Sequence, residues 1–160
     1  MTKSRTKKII LVVIIALIAV KAIWVSCSIN GIGSFETEKK DIIRRANYLT
    51  SKVATTPQKL LEEMPSGIGE QFQGEWALYT CSMTCAALAN IAILYPQNKE
   101  LSIKFIGQII DIAMSEEIRE YDRLRWREDP MDGIYGNLSH ISYFSHLAWM
   151  ISRYKQIGGD

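Results

Sequence analysis

Acidic residues are missing from the first 30 positions, and the whole chain of 160 residues holds only two histidines and three cysteines. No stretch has the spacing of a nucleophile elbow, a P-loop, a dinucleotide fingerprint or an HExxH zinc helix, so none of those chemistries has its frame here. Strict apolar–polar alternation is absent after residue 30, which removes the half-buried strand as a building unit. Sustained heptads are absent too, which removes the coiled coil. Cys81 and Cys85 are the only thiols after residue 30. Four apart on one helix, their Cβ atoms point in parallel directions, which suits a disulfide badly. Two thiols also fall short of a tetrahedral zinc site, so they read as small core residues, and no cofactor or metal is expected.

Charge is divided unevenly. Lys3, Arg5, Lys7, Lys8 and Lys21 lie before residue 30, and the remainder carries 14 basic against 17 acidic residues, a net −3. A body of that sign lacks the basic stripe that grips phosphates, so nucleic acid is not an expected partner. At 48% hydrophobic and 22% charged the composition is that of a folded chain, long enough for one domain.

The strongest positive signal is the start, "MTKSRTKKIILVVIIALIAVKAIWVSCSI". Ile9 to Val20 is an unbroken apolar run, and residues 9–29 approach the ~20 that a helix needs to cross the hydrocarbon layer. Lys21 can snorkel toward the far headgroups, and Trp24 suits the interfacial belt. The four cations of residues 1–8 then keep that tail in the cytoplasm and send the rest out. The expected order is a basic tail (1–8), a membrane anchor (9–29), a hinge (30–36) and an exported domain (37–160). A cleaved signal peptide and a lipoprotein signal with lipidated Cys27 stand beside the uncut anchor, and all three export the body to the periplasmic or outer side of the cytoplasmic membrane.

The exported part reads as all-α. "TEKKDIIRRANYLTSKV" places Ile42 or Ile43, Ala46, Leu49 and Val53 on one stripe. Thr56 before Pro57 is an N-cap with proline at the first helical position. The three glycines of "PSGIGEQFQG" (65–74) read as a loop before a helix from Glu75 to Tyr95. That helix is apolar on most sides, so neighbours are expected all round it, and it is a surface for a protein partner or for self-association. It is too polar at Tyr79–Ser82, Thr84 and Asn90 for a second span. A helix over 99–114 shows Leu101, Phe105, Ile109 and Ile112 on one face. Ser115 caps the next, "REDPMDGIYGN" (127–137) is a polar loop, and a last helix runs from about 138 to 157 with Gly158 as its left-handed cap. Four helices are few to surround a buried one, so the chain is expected either to continue beyond Asp160 or to associate with copies.

His140 and His146 are six residues apart, some 120° around a helix, and so do not share a face. Each can be a core histidine or a proton carrier. Glu75, Tyr79, Glu128, Asp129, Tyr135, Asn137, His140, Tyr143 and His146 supply the carboxylates, imidazoles, phenols and amide of acid–base chemistry, collected where loops meet helix ends. Among them His140, His146, Glu128, Asp129 and Tyr143 are the catalytic candidates. Glu75, Tyr79, Tyr135 and Asn137 are candidates for holding a small-molecule or glycan substrate.

The segments "FQGEWALYTCSMTCAALANIAILYP", "RWREDP" and "SHISYFSHLAWMISRYKQIGGD" together resemble an uncharacterised family of membrane-anchored bacterial helical proteins. The last of them is also similar to α/α-toroid enzymes of the linalool dehydratase-isomerase-like kind and, more loosely, to carbohydrate-acting toroids. That resemblance implies a ring of helix pairs around a central pocket, acid–base catalysis of the lyase, isomerase or glycan-hydrolase type, and a functional role for His146. On it the exported part is the opening section of an α/α-toroid-like fold. A non-catalytic helical module that binds a partner protein is the other reading of the same sequence.

Overall fold

The computed structural model describes residues 2–30, 35–65, 67, 69–135 and 140–160, and every element among them is helical. The chain divides into two compact units, 1–42 and 43–160. In the first, helix α1 runs Thr2–Asn30, so helix continues through the basic tail and past Lys21. Its described side chains include an apolar stretch, Leu11–Val25. Residues 31–34, most of the expected hinge, lie outside the described residues. Helix α2 (Phe35–Val53) begins two residues earlier than its periodicity suggests.

In the second unit the 3.6-residue period and its breaks produce α3 (Pro57–Glu62), α4 (Glu70–Leu94), α5 (Lys99–Ala113), α6 (Glu116–Trp126) and α7 (Ile141–Gln156). The caps are those the sequence signals. The Thr56 hydroxyl accepts from the Lys59 N–H with Pro57 in the first turn, and the Ser115 hydroxyl accepts from the Ile118 N–H. Gly158 takes φ +86° just beyond α7, a value open to glycine at little cost. Ser115→Ala is therefore expected to lower the unfolding free energy by about 1 kcal/mol, read as a lower urea midpoint at unchanged slope.

Helix α4 is the axis of this unit and packs against α3, α5, α6 and α7. Ala77, Cys81, Ala89 and Ala92 are buried on it, and their small side chains let neighbouring backbones come close, while Leu78 and Leu88 fill the space between. It starts at Glu70, five residues before the expected position, with Gly74 inside the helix. A Cβ on Gly74 would lie 2.7 Å from Tyr121 Cβ. The missing side chain is thus what lets α4 and α6 touch, and that contact outweighs the poor helix propensity of glycine. Residues 71–94 are also the described segment long and apolar enough to cross a membrane, yet more than half of its most apolar 18 residues are buried in this unit.

Three stripes differ from those drawn on the sequence. On α2 the buried face is Thr50 and Val53 with Ala46 partly covered, and Leu49 is exposed; the Thr50 hydroxyl is tolerated there because it donates to the Ala46 carbonyl at 2.7 Å. On α5 Ile109 and Ile112 are buried as expected, but the first turns of the face shift by one residue to Ser102 and Ile106, which leaves Leu101 exposed and Phe105 partly buried. On α4, expected to be surrounded, Phe72, Trp76, Tyr79 and Met83 form an open row at spacings of four, three and four. Cys81 and Cys85 are free and buried. Burial pushes both thiols up, Cys85 to about 12.

Candidate functional site

The two histidines face different helices. His140 precedes α7, and its Nδ1 lies 2.5 Å from the Asp122 carboxylate on α6. Both side chains are sealed, 1% and 0% exposed. The edges of Trp126 and Phe144 close over the imidazole, with ring centroids 6.4 Å and 6.3 Å away. On the remaining side is Gly133, where a Cβ would meet His140 Nε2 at 2.5 Å and Glu128 Oε1 at 3.1 Å. Asp122 Oδ1 and His140 Nε2 find no hydrogen-bond partner among the described residues. The group ties α6, the 127–135 loop and α7 together, and it is shut off from any molecule in solution.

Asp122 is absent from the sequence candidates, although its position carries a signal. It stands four residues after Ile118 and next to Tyr121, on the helix face that those two bury. Asp129, a candidate partner for a histidine, is instead gripped by Arg119, whose Nε lies 2.9 Å from Oδ1 and 3.2 Å from Oδ2. Partial burial opposes its ionisation, but the Arg119 hydrogen bond, the Met131 N–H and the charges of Arg119 and Arg123 outweigh this and hold the carboxyl below its usual range. With Met131 N–H at 2.9 Å on Oδ1, Asp129 shapes the turn that carries Gly133. Tyr143 is fully buried, and its hydroxyl donates to the Ala113 carbonyl at 3.2 Å. Burial, above all, pushes that phenol up to about 12. Glu128 lines a surface hollow with Arg123, Arg127 and Asp132. Only the backbone of Tyr135 is described, in a short 3₁₀ turn, and Asn137 lies outside the described residues, as does the side chain of Cys27.

His146 is different. It lines a cleft of about 490 Å³ with Phe72, Glu75, Trp76 and Tyr79 of α4. Three sequence candidates, Glu75, Tyr79 and His146, thus meet in one place, although no local pattern linked α4 to α7. The ring is held from behind: its Nδ1 lies 2.9 Å from the Ser82 hydroxyl, which itself donates to the Tyr79 carbonyl at 2.9 Å. Ser82 has one proton and gives it to Tyr79, so Nδ1 must be the donor to Ser82, and the Nε2 lone pair is left free. Ser82 is therefore a brace and not a nucleophile; it is also completely buried. Tyr79 meets the imidazole edge to face at 5.6 Å, and Trp76 meets Tyr79 the same way at 6.2 Å.

Burial lowers the His146 pKa from its ordinary 6.5, partly countered by the charge of Glu75. The unfolded chain then takes up this proton first as the pH falls. The stabilising contribution is complete above pH 6.5 and is lost as the pH drops through the lower folded-state value. The midpoint of thermal unfolding is expected to fall below that pH, and His146→Gln should remove this part of the dependence.

No protein-family model, curated protein or solved structure matches the chain.

Proposed function

We propose that this is a single-pass membrane protein whose extracytoplasmic helical domain binds a small molecule in the α4–α7 cleft, with His146 as its proton-transfer group. The anchor rests on the 9–29 apolar run and the cations before it. The observation that carries the binding reading is the row of half-exposed aromatic rings on an otherwise core helix, next to a braced imidazole with a free Nε2. Such a surface is costly to leave in water unless something covers it. The chemistry suited to it is proton abstraction and return, as in a lyase or isomerase. An α/α-toroid arrangement belongs to the same proposal, since the open row of α4 would there face the central pocket.

A second reading has its own support. Beyond the cleft the same face of α4 exposes Met83 and, past Asn90, Leu94, as a docking face for a protein partner would.

Diethyl pyrocarbonate acylation followed by peptide mass spectrometry tests the proposal. His146 is expected to be modified in the folded protein and His140 to stay intact. Equal protection of both would remove the proton-transfer role. For the anchor, the full chain is expected to need detergent and a tag after Asp160 to be reached from outside the cell; a soluble chain or a cytosolic tag would sink it.

A further inference from the structure

The cleft's chemistry narrows what it holds. Phe72 and Trp76 are one turn apart on α4, and Trp76, Tyr79 and His146 meet successively at 68° and 76°, so the rings are set at steep angles to one another and not stacked flat. Amid these rings the lining supplies, among the described residues, a single carboxylate, Glu75. Its ion-pair neighbour, Arg125 Nη1, is 3.9 Å away, beyond hydrogen-bond reach, so the carboxylate keeps its acceptor capacity. His146 donates Nδ1–H to Ser82 and adds no donor toward the cleft. A sugar needs donors and acceptors in number along its hydroxyls, and this lining offers few. A neutral hydrocarbon would desolvate Glu75 and offer its oxygens no hydrogen bond, with only the distant Arg125 charge in compensation. A cation with an apolar coat uses both parts: electron-rich ring faces attract it, and the carboxylate supplies the opposite charge.

Resting on the binding reading above, we infer that the cleft recognises a methylated ammonium group, with Phe72, Trp76 and Tyr79 as walls and Glu75 as counter-charge. The group can belong to a free small cation or to a zwitterionic lipid headgroup, and the chemistry that recognises it is the same.

The test uses the full chain in a maltoside micelle and compares choline with its uncharged isostere, 3,3-dimethylbutan-1-ol. Both are followed by saturation-transfer NMR on the methyl line. Choline is expected to bind at least about tenfold more tightly than the isostere. Glu75→Gln should clearly reduce that difference, and Trp76→Ala should weaken both; each variant is first checked for an unchanged melting curve. Dihexanoylphosphatidylcholine is the third ligand: tighter binding than choline assigns the headgroup as the source, and weaker binding assigns a free cation. A preference unchanged by Glu75→Gln overturns Glu75 as the counter-charge, and equal affinity of choline and the isostere overturns the cation class while leaving the cleft as a binding site. Absence of binding by all three overturns both.

Discussion

Asp122→Ala is expected to lower the unfolding free energy by about 3–5 kcal/mol, the usual consequence of removing one member of a buried ionisable pair. The residue is fully buried, and its carboxylate holds the Nδ1 of an equally buried His140. Truncation would strand that donor beside an Nε2 that already has no partner among the described residues. A domain of this size has roughly 5–15 kcal/mol in total, so the variant should sit near the edge of folding. Asp122→Asn keeps an acceptor oxygen and should lose clearly less. Urea unfolding of the full chain in detergent, followed by near-ultraviolet circular dichroism, reads both. A loss below 1 kcal/mol for the alanine variant would show that the pair does not hold α6 to α7.

The next largest effect separates the two sides of α4. Leu78→Ala removes a fully buried side chain in the centre of the unit and is expected to lose about 2–5 kcal/mol. Met83→Ala, five residues on and on the open row, should stay within about 0.5 kcal/mol. Equal losses would mean that the row is covered in the folded protein, and the cleft would then have no opening. The pair of variants thus tests the packing and the site together.

Much of the helical framework is written locally. Thr56 with Pro57, Ser115 before two glutamates, and Gly158 after the last turn each act through a hydrogen bond or a dihedral within a few residues, and the structure uses all three. The all-α class is equally plain from the 3.6-residue period. What escapes such a reading depends on contacts distant in sequence. Gly74 reads as loop because glycine is a poor helix former, yet the approach of Tyr121, 47 positions later, is what places it inside α4. Leu49 and Leu101 read as core by hydropathy, while Thr50 and Ser102 take those places at the cost of a one-residue turn of the helix. Charged helices such as "EEIREYDRLRW" look solvated, which hides Asp122 as the partner of His140 and points to Asp129 in its place. For the cleft, composition named Glu75, Tyr79 and His146, but only the packing of α7 on α4 shows that they meet.

The two thiols of α4 have a consequence for the life of the protein. Cys81 and Cys85 are sealed in the core and held in the protonated form, so the thiolate that oxidants and electrophiles attack is scarce while the fold is closed. Their reactivity belongs to the moments when α4 separates from its neighbours. If the domain does work in an oxidising compartment, each such opening risks a mixed disulfide that would prevent α4 from repacking. The durability of the protein there would then be set by how rarely the domain breathes, and hardly at all by how much oxidant surrounds it.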